Sequence, residues 1–451
     1  MPERPSIRSG RGEPVEARRV VITGLGVVSP AGPGIEPLWQ AALQARGTIR
    51  RIGLFDAAKF PCSIAGQLDD FSARNYVPRD YRKAVKVMAR DIEIAVAAAD
   101  LAFRDAGIVT RGIDPAKPQV DSKRLGCNIG AGLICSDLDE LGAAVNTAVV
   151  SGRFDLKAWG STGMTNLTPL WLLKYLPNML SCHVTIIHGA EGPSNTITCG
   201  DASGYLAAGE AARTIQRGAA DVAIAGGAES KLNPMGLLRQ HLLRRLCTTR
   251  NDSPADACRP FDEGHDGTVV GEGGGLLVLE GLDRAKARGA RVYGELVGFG
   301  AACDPAGIDV LRPTAGRLDL AVSRAMADAG ISAGDVGLIV THGTGVPGED
   351  LAEAAAWRQA LGAAGRTVPA FAATGAIGQL FAGAGGVQLA LAAMALHSQT
   401  IPATVNFRRP ADGCRMSFAT ESRKADLNYV VSGAFAVGGQ SGACVLKRYE
   451  N

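Results

Sequence analysis

The stretch GPSNTITCGDASG, residues 192–204, predicts a strand that ends in a sharp turn and continues into a helix. The segment ITC (197–199) favours β-structure, and ASGYLAAGEAARTIQRG (202–218) has the small residues of a buried helix. A side chain at the joint lies at the helix N-terminus, where unpaired N–H groups and the helix dipole favour negative charge. Such a position lowers the pKa of a thiol and equally stabilises a carboxylate. Cys199 and Asp201 are therefore both candidates for the tip of the turn.

Short apolar strands alternate with longer helical patterns along the rest of the chain, which is typical of an α/β protein. The predicted strands are RRVVITGLGVV (18–28), in which the strand runs into a glycine turn, ADVAIAGGAES (220–230) and DVGLIVTHGTG (335–345). The predicted helices are DIEIAVAAADLAFRDAG (91–107), LDLAVSRAMADAG (318–330) and GEDLAEAAAWRQALG (348–362). Two similar βα halves predict a duplicated fold, with a flexible tail at 1–17 and halves at 18–282 and 283–451.

The composition excludes several classes of protein. Hydrophobic residues make up 46% of the chain and charged residues 20%, as in an ordinary globular protein. The formal charge of +3 and the lack of basic tracts interleaved with aromatics give no indication of nucleic-acid binding. Ten scattered cysteines without a Cys-x-x-Cys pair indicate reduced thiols, no metal site and a cytoplasmic location. The longest apolar runs, such as LALAAMAL (389–396), are shorter than the ~20 residues that span a bilayer.

Three further segments carry candidate site residues. His342 follows the predicted strand at 335–345 and opens a glycine-rich loop, a position more typical of catalysis than of packing. Gln379 precedes the glycine-rich turn and helix of ATGAIGQLFAGAGGVQLALAAMAL (373–396). A last glycine-rich turn separates two strand-like pieces in GAFAVGGQSGACVLKR (433–448). The other five histidines have no comparable setting and are expected to be structural or exposed.

Together these segments resemble the elongating β-ketoacyl-acyl-carrier-protein synthases of type II fatty-acid and polyketide synthesis. The likeness runs from Arg18 to Arg448 and is carried by RRVVITGLGVVSPAG (18–32), RPFDEGHDGTVVGEGGGLLVLE (259–280) and HGTGVPGED (342–350), with the other motifs in the same order. The resemblance implies a thiolase-like fold, in which two similar βα halves pack as a five-layered αβαβα sandwich. It also implies a dimer that receives its substrate from acyl carrier protein.

The resemblance assigns the nucleophile position to Asp201. The family mounts a cysteine in a Cys-x-Ser-Gly-like turn, and the spacing from Gly192 to Ser203 is kept here without a gap. Cys199 falls two residues earlier, about 6–7 Å back along the strand, and is expected to be a buried small residue. It stays an alternative nucleophile only if the register shifts.

The other catalytic positions of the family are partly changed. The first histidine matches His342, whereas Gln379 stands for the second histidine and Thr374 for the lysine of a Lys-x-x-x-Gly-His motif. In the pantetheine-binding motif His-Gly-Thr-x-Thr, Thr344 is kept and Val346 stands for the second threonine.

The last glycine-rich turn departs from the family as well. Phe435 is kept one step earlier than in the family's Gly-Phe-Gly-Gly turn, and Val437 replaces the gating phenylalanine. These departures fall in one pocket, whereas the scaffold motifs are kept.

These substitutions leave two hypotheses of different class. Condensation requires a thiolate that holds an acyl group, and a carboxylate in its place forms a reactive mixed anhydride instead. The first hypothesis is a non-condensing, chain-length-factor-like subunit. The second is an altered enzyme that hydrolyses thioesters or decarboxylates malonyl-carrier protein through Asp201, His342 and Gln379. Ordinary 3-oxoacyl-carrier-protein synthesis is the least favoured alternative, so whether the protein is an enzyme is left open.

The resemblance also implies the partners. The protein is expected to form a homodimer or a heterodimer with a cysteine-containing ketosynthase, and to bind acyl carrier protein, which delivers the phosphopantetheine arm. No other cofactor, nucleic acid or membrane is expected. The basic segments RNYVPRDYRKAVKVMAR (74–90) and RQHLLRRL (239–246) are candidate docking sites, although a solvated helix face explains each equally well.

Overall fold

The computed structural model describes residues 17–304 and 314–450, together with the strands Ile7–Arg8 and Pro14–Val15. The predicted tail at 1–17 lies outside these ranges apart from the two short strands, which pair antiparallel. Ten strands form the core of the main sheet: β1 (Val20–Ser29), β2 (Leu125–Gly130), β3 (Ser194–Ile197), β4 (Val222–Ser230), β5 (Glu272–Gly281), β6 (Gly294–Cys303), β7 (Val336–Thr341), β8 (Pro369–Ala372), β9 (Tyr429–Phe435) and β10 (Gln440–Lys447).

Helices cover both faces of this sheet and also form a separate group around residues 138–188. They are α1 (Ile35–Leu43), α2 (Arg90–Asp105), α3 (Leu138–Thr147), α4 (Leu156–Ser161), α5 (Trp171–Lys174), α6 (Met179–His188), α7 (Ser203–Gln216), α8 (Pro234–Leu242), α9 (Leu282–Ala287), α10 (Leu318–Ala329), α11 (Pro347–Leu361), α12 (Ala364–Thr367), α13 (Thr374–Ile377) and α14 (Ala384–Ser398). The predicted strands and helices begin within two residues of their observed starts.

The sheet is built twice with the same topology. The N-terminal strands lie in the order β3-β2-β4-β5-β1, and the C-terminal strands in the equivalent order β8-β7-β9-β10-β6. In each half the fifth strand, β5 or β10, runs antiparallel to both neighbours, and the remaining neighbours pair in parallel. The two halves join where β1 pairs antiparallel with β6. The prediction of two similar βα halves is therefore confirmed, whereas the boundary at residue 282 stays a prediction.

Five layers follow from the helix contacts. Helix α7 contacts β4 and β10, and α14 contacts β5 and β9, so both helices lie between the two half-sheets. Helix α2 packs on the outer side of the N-terminal half, against β1 and β5, and α10 packs on the outer side of the C-terminal half, against β6 and β10. Helix α14 is consequently buried along almost its whole length and α7 along most of its surface, which explains their alanine- and glycine-rich sequences.

Strand β1 corrects one prediction. All ten of its residues are buried, as the prediction of a buried strand requires. Gly24 and Gly26 do not end it, and the strand continues to Ser29. A β-carbon on Gly26 would lie 1.9 Å from the carbonyl oxygen of Ala98 in α2. The glycines are needed because the helix backbone approaches the strand closely, not because the chain turns.

The two central helices meet backbone to backbone near their N-termini. A β-carbon on Gly204, in α7, would lie 2.9 Å from the amide nitrogen of Gly386 and 3.1 Å from Cα of Gly385, both in α14. Behind this contact, the Tyr205 hydroxyl donates to Oε1 of Gln388 at 2.8 Å. The N-termini of α7 and α14 are thereby held at a short, fixed separation.

One apolar segment is longer than the run at 389–396 that the sequence suggests. Residues Phe381–Ser398, which include α14, are long and apolar enough to cross a membrane by length and composition. In the folded chain 89% of this segment is buried inside the protein, which is the environment of a core helix.

Candidate active site

The turn between β3 and α7 presents Asp201. The chain leaves β3 at Ile197 and makes a 3₁₀ turn over Gly200–Ala202 before α7 begins at Ser203. Gly200 has φ +55°, in the left-handed region that favours glycine, and allows the sharp change of direction. The Asp201 side chain points inward and is buried. The structure therefore places Asp201 at the helix N-terminus, as the spacing predicts.

Asp201 lies against His342 and Gln379. His342 follows β7 directly, and its Nε2 is 3.1 Å from Oδ2 of Asp201. Gln379 follows α13, and its Nε2 donates to the same oxygen at 2.9 Å. The two nitrogens lie 2.9 Å apart because both approach one oxygen. All three side chains are buried, so the residues predicted for the three catalytic positions of the family form one contiguous group.

A second buried ion pair adjoins this group. Arg245, which follows α8, donates through Nε and Nη2 to both carboxylate oxygens of Glu349 at 2.8 and 2.9 Å. Its Nη2 is also 3.9 Å from Oδ2 of Asp201. The guanidinium group consequently contacts two carboxylates, Glu349 from the C-terminal half and Asp201 from the N-terminal half. Four side chains thus form a row of successive contacts in which the sign of the charge alternates when His342 is protonated: Glu349, Arg245, Asp201 and His342.

The charges in this chain of contacts shift the pKa values of its members. Burial by itself raises the pKa of the Asp201 carboxyl, but the hydrogen bond and charge of His342, with the charge of Arg245, outweigh burial and lower it. Burial lowers the pKa of His342, but the hydrogen bond and charge of Asp201 raise it overall. The pair therefore favours an ionised Asp201 and a protonated His342, a state in which the imidazole is an acid rather than a base.

The backbone around His342 is held by buried polar side chains. Glu353, in α11, accepts hydrogen bonds from the amide nitrogens of His342 and Gly343 at 2.8 Å each. Burial raises the pKa of Glu353 to about 7, although His342 and its hydrogen-bond donors act in the opposite direction. Gln388 donates to the carbonyl oxygen of Thr341 at 3.2 Å. These contacts hold the backbone that carries His342 independently of Asp201.

Thr374, at the predicted lysine position, does not reach the carboxylate. Its hydroxyl donates to the carbonyl oxygen of Gly343 and lies 3.4 Å from that of His342. Thr374 therefore supports the loop that carries His342 and contributes no charge to the site.

The predicted substrate-contacting residues are distributed unevenly. Thr344 is buried, and its hydroxyl oxygen accepts from the amide nitrogen of Val346 at 3.2 Å. Phe435 packs edge-to-face on the His342 ring, with 5.1 Å between ring centroids. Val437 is 43% exposed and lies on the turn between β9 and β10. Phe435 is thus in the site, whereas Val437 is at the surface of the single chain.

Cys199 does not join the group. It is half-buried, precedes the 3₁₀ turn, and its amide nitrogen donates to Ser203 Oγ at 2.8 Å. Among the described residues, no hydrogen bond joins Cys199 to His342 or Gln379. Burial raises the pKa of the Cys199 thiol, which disfavours the thiolate. The alternative of a shifted register is not supported by this arrangement.

Sequence reasoning missed Arg245, Glu349 and Glu353. Arg245 lies within the segment 239–246, for which the sequence offers a docking surface or a solvated helix face, and its burial sets this one residue apart from both. A single arginine in a basic segment gives no signal of burial. The signal for the acids was their position in the first two turns of α11, directly after His342.

Comparisons with known proteins agree with the fold and the arrangement. The model of the β-ketoacyl synthase N-terminal domain matches residues 17–285, and that of the β-ketoacyl synthase C-terminal domain matches residues 293–408. The chain is 34% identical over 433 residues to the 3-oxoacyl-[acyl-carrier-protein] synthase 2 of Vibrio harveyi, covering 96% of this chain and 99% of that protein. The synthase of the same name from Synechocystis sp. is 32% identical, with 97% and 99% covered.

Solved structures give the same result. A β-ketoacyl synthase from Burkholderia phymatum superposes with a TM-score of 0.82 at 28% identity, covering 96% of this chain and 100% of the other. A structure described as the ishigamide ketosynthase/chain length factor gives a TM-score of 0.80 at 27% identity with the same coverage. The architecture is thus the thiolase-like ketosynthase fold predicted above. The chain belongs to the β-ketoacyl synthase family, whose members act in fatty-acid and polyketide synthesis.

The described residues bear on two further predictions. Within 17–304 and 314–450, no group of three or more His, Cys, Asp or Glu side chains is placed to hold a metal ion. All ten cysteines are free thiols.

Proposed function

We propose that this protein is a non-condensing, chain-length-factor-like subunit of a cytoplasmic fatty-acid or polyketide synthase. The observation that carries the proposal is the Asp201 carboxylate, which stands at the family's nucleophile position and is held by His342 and Gln379. In condensation a thiolate accepts an acyl group and later releases it. A buried carboxylate in an ion pair is a weak nucleophile, and the anhydride that it would form is less stable than the thioester it came from.

The donors that act on malonyl in the family are occupied in this chain. Two N–H groups normally stabilise the enolate that forms on decarboxylation, and loss of one such donor costs about 3–4 kcal/mol of barrier. Here both His342 Nε2 and Gln379 Nε2 contact Asp201 instead. A negative charge at this position also repels the malonyl carboxylate.

An altered enzyme is the second candidate. His342 and Gln379 still present N–H groups at the two histidine positions of the family, so a malonyl thioester that displaced Asp201 from them would meet both donors that decarboxylation uses. Hydrolysis is less well supported, because the raised pKa of His342 disfavours the neutral imidazole that a general base requires.

The surface of the chain supports a protein partner. Strand β3 is the last strand of its half-sheet, and among the described residues it pairs only with β2. Helix α6 lies beside it, joined by a 2.6 Å hydrogen bond between Ser181 and Thr196. Exposed apolar side chains are concentrated between residues 133 and 186: Leu133, Leu138, Val149, Val150, Phe154, Leu156, Met164, Leu170, Leu172, Leu173 and Ile186. An open sheet edge beside an apolar surface suits a second ketosynthase chain.

Acyl carrier protein is the second proposed partner, and it would deliver the phosphopantetheine arm. The 3₁₀ helix Arg79–Val87 and the residues before it expose five cations: Arg74, Arg79, Arg82, Lys83 and Lys86. One acid, Asp80, lies among them. This surface is basic enough to bind an acidic protein, and of the two candidate segments it is the one proposed here, because in 239–246 Arg245 is buried.

The catalytic part of the proposal is tested on the purified chain with acyl- and malonyl-carrier protein. We expect no covalent acyl adduct by mass spectrometry and no released carbon dioxide or free acid above a blank. Turnover that Asp201→Asn abolishes would overturn the non-condensing role. Asp201→Cys is the matched variant, and we expect it to remain inactive in condensation because position 379 still lacks a histidine.

The assembly part is tested in the organism that makes the protein. A tagged chain is recovered and its co-purifying proteins are identified by mass spectrometry. We expect a stoichiometric β-ketoacyl synthase that carries cysteine at the position of Asp201. Recovery of the tagged chain only with copies of itself would contradict the heterodimer.

A further inference from the structure

Two hydrogen-bond donors and one guanidinium group surround one oxygen of Asp201. His342 Nε2 lies 3.1 Å, Gln379 Nε2 2.9 Å and Arg245 Nη2 3.9 Å from Oδ2. The three side chains come from separate parts of the chain, after β7, after α13 and after α8, and each is buried. Two of them are cationic when His342 is protonated. Such a set of donors matches the chemistry of a carboxylate group.

Arg245 and the loop that carries His342 are held by contacts that do not involve Asp201. Arg245 is held by both oxygens of Glu349 and by Oε1 of Gln240 at 2.9 Å. The loop of His342 is held by Glu353. Removal of the Asp201 carboxylate therefore leaves Arg245 and the His342 loop in position, while Nε2 of His342 and Nε2 of Gln379 lose their carboxylate acceptor, which is unfavourable for buried polar groups.

Two further polar atoms in the group lack partners. Nδ1 of His342 and Oε1 of Gln379 are buried and have no hydrogen-bond partner among the residues that the structure describes. The group thus has more hydrogen-bonding capacity than the Asp201 carboxylate uses.

We propose that His342, Gln379 and Arg245 form a binding site for one small carboxylate, and that Asp201 occupies this site as a ligand supplied by the chain itself. A tethered carboxylate has a far higher effective concentration than any free one, so it excludes external ligands. The inference rests on the proposed function, because it explains why the donors are closed to a malonyl thioester: they are occupied rather than lost. The class of ligand is a short monocarboxylate such as formate or acetate.

The test is to vacate the site and supply the ligand from solution. Asp201→Ala removes the carboxylate, and sodium formate or acetate is then titrated against sodium chloride at equal ionic strength while thermal unfolding is followed. We expect a saturable rise in Tm of about 2 °C with either carboxylate, by mass action, and none with chloride. The wild type and Asp201→Asn are the matched controls, since their sites are filled, and their Tm should respond to formate and chloride alike.

A second variant identifies the donors. In Asp201→Ala combined with Arg245→Gln, one charge-assisted contact is gone, and we expect the apparent Kd for formate to weaken by about tenfold. Equal Tm responses to chloride and formate in folded Asp201→Ala would overturn the proposal. An unchanged Kd in the double variant would remove Arg245 from the site and contradict the proposal as stated.

Two arrangements keep the test decisive. If Asp201→Ala does not fold in plain buffer, it is purified in acetate: folded protein in acetate but not in chloride supports the site, and unfolded protein in both contradicts it. The readout is stability without substrate. Acyl adducts or carbon dioxide from the wild type would therefore refute the non-condensing role without changing the result on carboxylate binding.

Discussion

Two aspartate–histidine pairs among the described residues, each with a buried aspartate, have different surroundings. Asp201 and His342 lie 3.1 Å apart, and Asp350 and His265 lie 2.9 Å apart. Asp350 also accepts from the amide nitrogens of Phe261 at 2.7 Å and Gly345 at 3.0 Å. Every hydrogen bond that the described residues make to the Asp201 carboxylate comes from a side chain instead.

The pKa shifts of the two acids have opposite signs. Burial raises the pKa of Asp350, although His265 and the two backbone N–H groups act against it. Burial acts in the same direction on Asp201, but His342 and Arg245 outweigh it and lower its pKa. The comparison shows which pair belongs to the scaffold. The Asp350 pair ties the 259–265 segment to α11 through the backbone, whereas the Asp201 pair consists of side chains and can change without altering the chain path.

The largest effect is expected on stability when Asp350 is removed. Asp350→Ala leaves two buried N–H groups and His265 without their acceptor, which costs about 3–5 kcal/mol of unfolding free energy. Asp201→Ala should cost about 2 kcal/mol, because Arg245 keeps Glu349 and His342 can lose its proton. Urea unfolding of both variants in the same buffer measures the difference. Equal losses would show that Asp201 is also part of the scaffold.

A smaller effect on stability is expected for Arg245→Gln, which removes the cation between Glu349 and Asp201. Glu349 would be left buried without its cation, and we expect a loss of about 2–3 kcal/mol. Arg245→Gln combined with Glu349→Gln removes both charges and should recover more than half of that loss. The recovery is read from a double-mutant cycle of unfolding free energies. Losses that simply add would contradict a direct pair.

The pH dependence of stability should have opposite signs for Asp201 and Asp350, whose pKa values shift in opposite directions. The lowered pKa of Asp201 stabilises the fold fully above its ordinary value of 3.8, and this contribution is lost as pH falls through the folded value. Because the pKa of His342 is raised, its contribution to the stability of the fold is complete below pH 6.5 and is lost as pH rises through the folded pKa. The excess stability of the wild type over Asp201→Asn should therefore be greatest between pH 3.8 and 6.5.

Asp350 should behave in the opposite sense. Because its pKa is raised, the excess stability of the wild type over Asp350→Asn should fall as pH rises from 3.8 through the folded pKa. Tm measured across the pH range for the wild type and both asparagine variants tests the contrast. Parallel curves for the two variants would contradict it.

The smallest effect is expected at Cys199, two residues before Asp201. Cys199→Ala removes a half-buried thiol that makes no contact with His342 among the described residues, and we expect a change in unfolding free energy below about 1 kcal/mol. Thioester labelling should be absent both before and after the substitution. Label on Cys199 of the wild type would contradict the assignment of Asp201 to the tip of the turn.

The sequence predicted the elements and the main members of the site because their signals are local. Continuous apolar strands, helical periodicity and the spacing around 192–204 locate β4, α7 and the turn that carries Asp201. The loops that follow β7 and α13 carry His342 and Gln379, and the structure brings these residues to Asp201.

Other features depend on contacts that no local pattern records. Arg245 meets Glu349 across 104 positions of the chain, and in the sequence it is one more cation in a basic segment. The glycines of β1 have the composition of a turn, yet only the approach of α2 determines that they lie inside a strand. Long-range packing therefore determines the burial of Arg245 and the extended path of the β1 glycines, neither of which residue spacing predicts.

The glycine contact between α7 and α14 explains why the residue at position 201 can be exchanged without disturbing the fold. Gly204 meets Gly385 and Gly386 through main-chain atoms, directly behind the turn of Asp201. Because main-chain atoms make this contact, it does not depend on which side chain stands at position 201. Position 201 is thus open to replacement of one functional group by another, while Gly204→Ala, an apparently milder change, would push the two central helices apart.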